Sequence, residues 1–310
     1  KKFDLMRNFD LALSPFRVKD ASDPEIIFNI GKFIPSNDNC YVVDHKYHIK
    51  DNYFYCKDSA AKINWKVEIF GFGRGKMVVN YNCSTWGLKP IISHFSTETF
   101  LLRPIIYYKL SEKRYFMIHA AGVSKDDGAY IFPGRGGAFK TSLVMDFIKR
   151  AKFNYLGDDW IILHEDKVLS FPAYLLLFRY IYSHRKDEYL NFLDKINFVK
   201  SLWIHKYHSH EVSMVKSAKL KAVFFIMKTS KSRITIQKLD LKDAVNKLIE
   251  NIKMEMMSVP DTLAGFSLGP YYRYMLAYSY IFPDSRVARY WKSLREKLKE
   301  ILKDESIYEI

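Results

Sequence analysis

Between Ala129 and Ile148 one short stretch narrows the fold more than any other. Apolar Ala129-Tyr130-Ile131-Phe132 gives way to Pro133-Gly134-Arg135-Gly136-Gly137, and beyond it Leu143, Val144, Phe147 and Ile148 fall on one helical face. Strand, glycine loop and helix in that order form a building unit of α/β architecture. The segment Gly134-Arg135-Gly136-Gly137-Ala138-Phe139-Lys140-Thr141-Ser142 comes close to G-x-x-x-x-G-K-[ST], a pattern whose backbone N–H groups wrap phosphates at a helix N-terminus. Glycines allow positive φ and close backbone approach. Lys140 is placed to neutralise terminal phosphate oxygens, and the Thr141 hydroxyl to ligate Mg²⁺. Phe139 stands where the pattern has its last glycine. A β-carbon there costs little at negative φ but about 1–2 kcal/mol in the left-handed region.

Short strands are expected on both sides of this unit: Phe116 to His119, Phe153 to Leu156, Trp160 to Leu163 and Val168 to Phe171, with turns at Lys125 to Gly128 and His164 to Lys167. Gly157-Asp158-Asp159 therefore falls at a strand end. Phosphoryl transfer needs carboxylates in such a place, one to hold Mg²⁺ and one to take the acceptor's proton. Adjacent carboxylates also raise each other's proton affinity, which suits a base. His119 ends an apolar strand just before Ala120-Ala121-Gly122, where its imidazole could orient an aspartate or share its proton. Alone, the pair reads as an ordinary acidic turn and His119 as a structural histidine; the neighbouring glycine loop favours chemistry.

Elsewhere, residues 25 to 100 alternate β-favouring runs (Tyr41 to Val43, Tyr53 to Tyr55, Trp65 to Phe70, Met77 to Val79) with turn clusters. Thr97 to Leu110 has helical spacing, with Pro104 inside it. Tyr180 to Tyr207 reads as helix or loop, and Ala222 to Met227 with Arg233 to Gln237 as paired strands. Leu241 to Met256 reads as an amphipathic helix, Val287 to Leu302 as a basic one, and Ile307 to Ile310 as a closing strand. The expected organisation is a β-rich region with a connecting helix over residues 1–110 and an α/β (α+β mixed) domain over 111–310.

A net charge of +15 on 310 residues favours anionic partners without choosing among them. Arg286, Arg289, Lys292, Arg295, Lys297 and Lys299 share one helix, yet Leu294, Leu298, Ile301 and Leu302 give it a normal core face, which argues against direct nucleic-acid binding. His205, His208, His210 and Glu211 have metal-like spacing but no second cluster, and read as an exposed loop. Cys40, Cys56 and Cys83 are too scattered for a disulfide framework or a zinc site and fit a reducing cytoplasm. No run approaches the roughly 18 apolar residues a membrane span needs. No secretory signal is expected from the N-terminal residues.

His119-Ala120-Ala121-Gly122, the glycine loop and Leu156-Gly157-Asp158-Asp159-Trp160, in this order, resemble the catalytic core of the HPr kinase/phosphorylase family, whose P-loop fold groups with phosphoenolpyruvate carboxykinase. Ser170-Phe171-Pro172, Lys221 to Phe225 and Ile307 to Ile310 are similar to later segments of shorter HPr kinase-like proteins. The resemblance implies a kinase transferring the γ-phosphate of ATP, with Mg²⁺, to a hydroxyl of a protein, a peptide or a small molecule. It also implies a homo-oligomer. It assigns Lys140 to the β/γ-phosphates, Thr141 and Asp158 to Mg²⁺, and Asp159 to general base with His119 in support, although the two aspartates could exchange roles. The family's downstream metal-binding glutamate and its HPr-engaging loop have no recognisable counterpart, so HPr is not the implied acceptor. Together with Phe139, that departure keeps a second expectation open: a nucleotide-binding regulatory protein without phosphotransfer.

Overall fold

A computed structural model describes residues 16, 18–60, 63–85, 101–172, 212–230, 233–257 and 270–310. The chain is a mixed α/β protein with two mixed sheets and, among the described residues, five helices. Described residues within 17–113 and 253–297 pack as one compact unit. Residue 16 and those within 114–252 and 298–310 pack as a second. The units are therefore not two consecutive stretches of chain.

The first unit holds a six-stranded sheet in the order β1-β6-β5-β4-β3-β2, from β1 (Ile26–Ile30), β2 (Tyr41–Val43), β3 (Tyr47–Lys50), β4 (Tyr53–Ala60), β5 (Ile63–Phe70) and β6 (Met77–Thr85). Its β-branched and aromatic residues alternate across the pleat, so Phe54, Val67, Ile69 and Val79 are sealed on one face. Helix α1 spans Arg103–Glu112, and Pro104 sits in its first turn, where a missing N–H costs nothing. The expected residues 97–100 of this helix lie outside the described ones. Further along the chain, α4 (Pro270–Ile281) brings Tyr274 to 4.6 Å from Phe54 and Tyr278 to 5.0 Å from Phe72, ring centre to ring centre. The hydroxyls of these buried tyrosines are satisfied: Trp65 Nε1 donates to Tyr274 and the Asn52 amide to Tyr278.

In the second unit, β7 (Phe116–Ile118), β8 (Ala120–Lys125), β9 (Gly128–Pro133), β10 (Asn154–Gly157), β11 (Ile161–His164), β12 (Lys167–Leu169) and β13 (Ser217–Phe225) run in the order β10-β8-β9-β13-β12-β11-β7. Strands β8 and β9 form a hairpin whose two turn residues, Asp126 and Asp127, both have positive φ, as a tight hairpin turn requires. Helix α2 (Lys140–Ala151) follows β9. Its Val144, Met145 and Ile148 bury against Ala121, Val123, Phe132 and Tyr155, each large side chain contributing about 1.5–3 kcal/mol. Lys152 adopts the left-handed conformation after the helix, and the Phe153 amide closes back on the Phe147 carbonyl.

One expected pairing is corrected. The run at Arg233 to Gln237 does not pair with β13, and only Gln237–Lys238 forms a strand, β14. The chain's last strand, β15 (Ser306–Glu309), lies between them, parallel to β13 and antiparallel to β14. A non-local partner thus occupies the edge that a local hairpin would have used. The expected helices near the C-terminal half form as α3 (Leu241–Met257) and α5 (Arg286–Leu302). No described helix is long and apolar enough to cross a membrane.

Candidate functional site

Strand β9 delivers the chain to Gly134, which bridges to Ile226 at the end of β13. A β-carbon on Gly134 would stand 2.9 Å from the Ile226 carbonyl oxygen, so this close crossing requires glycine. The loop tightens through Gly137, with φ at +80°, and the Ala138 amide donates to the Arg135 carbonyl at 3.1 Å. Helix α2 then begins, its first bond running from the Leu143 amide to the Phe139 carbonyl.

Phe139 is the N-cap of α2, with φ 59° and ψ 23°. The residue is not glycine, but the backbone holds the left-handed conformation that the pattern's glycine serves. Phe139 is 36% exposed, and the Lys228 ammonium lies 5.0 Å from the centroid of its ring. No side chain caps the helix start, where amides of the first turn have no intrahelical acceptor. Buried Lys140 curls over the loop, its Nζ donating to the carbonyl oxygens of Gly134 (2.8 Å) and Arg135 (3.3 Å). Gly136 has open space where a side chain would be, and Ser142 lies in the helix's first turn.

Strand β10 ends at Gly157, where a β-carbon would fall 2.5 Å from the Trp160 carbonyl oxygen. That tight reversal sets Asp158 against the helix start: its Oδ2 accepts a hydrogen bond from Thr141 Oγ1 at 3.0 Å. Its Oδ1 is withdrawn from solvent and has no hydrogen-bond partner. Burial pushes the Asp158 pKa up to about 7, and the Asp159 charge adds to the rise. The Thr141 hydrogen bond and the charges of Lys140 and His119 oppose it.

Asp159 is 42% exposed on its side chain, and its Oδ1 lies 3.0 Å from Nε2 of His119, a residue only 2% exposed. His119 occupies the junction of β7 and β8, its ring centre 5.3 Å from that of Trp160. The structure therefore brings Lys140, Thr141, Asp158, Asp159 and His119 together from the junction of β7 and β8, the end of β10 and the start of α2. The residues read as a metal site, Thr141 and Asp158, suit a hard cation: a hydroxyl, a carboxylate and an enclosed carboxylate oxygen without a partner. Among the described residues there is no group of three or more His, Cys, Asp or Glu side chains placed to hold a metal. Two protein ligands fit Mg²⁺, which keeps water and phosphate oxygens in its remaining positions.

Two features escape motif reading. Asn251 of α3 is 7% exposed and makes hydrogen bonds to both His119 and Arg135. Arg135, read only as a loop residue, is tied to this helix as well. The signal for Asn251 was an amide in register with the buried apolar stripe of Ala244, Leu248 and Ile252. The basic helix α5 keeps its expected core face through Leu294, Leu298 and Leu302. The His205, His208, His210 and Glu211 cluster and the stretch from Tyr180 to Tyr207 lie outside the described residues. Cys40, Cys56 and Cys83 form no disulfide. The chain matches no protein-family model and has no significant match among curated proteins.

Proposed function

We propose that this chain is a Mg²⁺-dependent phosphotransferase that binds the phosphates of ATP at Gly134 to Ser142 and passes the γ-phosphate to a hydroxyl of a protein, peptide or small molecule. The fold that goes with this reading is a P-loop core of the HPr kinase and phosphoenolpyruvate carboxykinase type. The observation that carries it is the meeting of Thr141 with Asp158 at 3.0 Å and of Asp159 with His119 at 3.0 Å beside one glycine loop. An ordinary acidic turn would not place a hydroxyl on one carboxylate and an imidazole on the next.

Each residue has a distinct task. The loop amides and Lys140 receive the β- and γ-phosphate oxygens, and Lys140 exchanges its carbonyl partners for phosphate as it does so. Thr141 and Asp158 would hold Mg²⁺, which when bound would neutralise charge developing on the phosphates. The acceptor oxygen attacks phosphorus as the bond to the β-phosphate bridging oxygen breaks, leaving ADP. Asp159, the more exposed carboxylate, takes the acceptor's proton, and His119 fixes its orientation. Asp158, although its proton affinity is raised, is out of an acceptor's reach because one of its oxygens is engaged by Thr141 and the other is enclosed.

The hold of loop carbonyls on Lys140 favours a second reading, a nucleotide-binding regulatory protein without transfer. Purified protein with Mg·ATP and candidate hydroxyl acceptors separates the two. The phosphotransferase gives phosphorylated product that vanishes in Lys140→Ala and Asp159→Asn. The regulator binds ATP and forms none.

A further inference from the structure

Asn251 lies on the buried stripe of α3, between Leu248 and Ile252, where a dry helix interior disfavours an amide unless it is hydrogen-bonded. Its Nδ2 donates to the His119 carbonyl oxygen at 2.9 Å. Its Oδ1 lies 3.3 Å from His119 Nδ1 and 3.3 Å from Arg135 Nη1, and its main-chain oxygen lies 3.4 Å from the same Nη1. These contacts assign both ends of the amide. The nitrogen must face the His119 carbonyl, which only accepts, so the oxygen must face the ring. An amide oxygen cannot donate; Nδ1 therefore carries a hydrogen. The ring atom left for Asp159 is Nε2, at 3.0 Å, and one proton must lie between it and the carboxylate, because two bare acceptors would repel.

We infer that Asn251 is a positioning residue that keeps a hydrogen on His119 Nδ1, turns Nε2 onto Asp159, with which it shares one proton, and ties this pair to the glycine loop through Arg135. The Nδ1 proton rests on geometry alone; its catalytic consequence rests on the phosphotransferase reading. Arg135 belongs to the phosphate loop, so loop conformation and imidazole orientation share one side-chain contact. A histidine whose second nitrogen is anchored by an acceptor is the usual means of fixing which nitrogen works.

The test is ¹⁵N NMR of the histidine ring nitrogens in the full chain at constant pH, with His119→Gln to identify the signals, alongside Mg·ATP kinetics. Asn251→Asp keeps the acceptor for Nδ1–H and Arg135; Asn251→Leu removes it at similar volume. A protonated Nδ1 is expected in the wild type and the Asp variant, with loss of the Nδ1 proton in the Leu variant. In Asn251→Leu kcat should fall on the order of 10- to 100-fold while KM for Mg·ATP moves by about twofold or less, and Asn251→Asp should recover part of kcat. An unprotonated Nδ1 in the wild type overturns the inference. So does a Leu variant with unchanged Nδ1 protonation and unchanged kcat. Should the Leu variant not fold, the wild-type and Asp spectra decide, and an Nδ1 without its proton in either one overturns the assignment. A chain that holds the Nδ1 proton, loses it in Asn251→Leu and transfers no phosphate upholds the positioning role and counts against the phosphotransferase reading alone.

Discussion

Thr141 Oγ1 donates to Asp158 Oδ2 at 3.0 Å, a bond that joins the start of the helix after the glycine loop to the acidic turn after β10. Everything proposed for the site depends on this junction, because it sets the Thr141 hydroxyl and the Asp158 carboxylate side by side at the start of the helix after the glycine loop.

The junction carries a pH signature. Asp158 keeps its proton to about pH 7 in the folded chain, whereas an unfolded aspartate loses it near pH 4. Between those values the folded state binds more protons, so its stability falls as pH rises, and the loss is complete above pH 7. The full effect is on the order of a few kcal/mol. Asp158→Asn should therefore raise the melting temperature over wild type at pH 8 and lose that advantage at pH 4. The same sign makes Mg²⁺ binding stronger as pH rises through 7, because the cation displaces the proton. Thermal unfolding with and without Mg²⁺ across this range reads both effects.

Phe139 permits a cleaner comparison. Its φ of 59° strains any residue with a β-carbon, so Phe139→Gly should be more stable than Phe139→Ala by about 1 kcal/mol. Both variants lose the ring and its contact with Lys228 equally, and urea unfolding measures the difference. Equal stability, or a more stable alanine variant, contradicts the left-handed assignment.

At Gly157 the demand is for space. A methyl group would meet the Trp160 carbonyl oxygen at 2.5 Å and the Ile161 side chain at 2.9 Å. Gly157→Ala should cost on the order of 1–3 kcal/mol, as overpacking does. It should also reduce turnover more than Gly136→Ala, whose added methyl points into open space. Denaturant melts and steady-state rates for the two variants make this comparison.

Asp159 and His119 should separate chemistry from binding. Asp159→Asn is expected to lower kcat by roughly 10²- to 10⁴-fold, the range of a positioned general base. Affinity for Mg·ATP should change little, because the proposal gives the phosphate contacts to Lys140 and the loop. Single-turnover transfer and calorimetry on the same preparation distinguish these quantities.

How much of this was legible in the sequence depends on the range of the interaction. The strand ending at Pro133, the glycine loop and the helix carrying Val144 and Ile148 are written in local periodicity and turn chemistry, and they form as expected. The acidic pair at a strand end was readable for the same reason. The partnership of β13 with β15 was not, because Ala222 and Ser306 are far apart in sequence, and strand propensity alone favoured a nearer partner. Asn251 lies 132 residues from His119, and its only local trace is an amide on an apolar stripe. The conformation of Phe139 shows the converse: residue identity argued against the left-handed region, and the backbone geometry of the loop prevailed.

The most direct test of the site is Mg·ATP binding and transfer by wild type, Lys140→Ala and Asp159→Asn under identical conditions. The expected result is wild-type binding with transfer to a hydroxyl acceptor, binding without transfer in Asp159→Asn, and strongly weakened binding in Lys140→Ala. A wild-type chain that fails to bind Mg·ATP, or a Lys140→Ala variant that binds it equally well, contradicts the account.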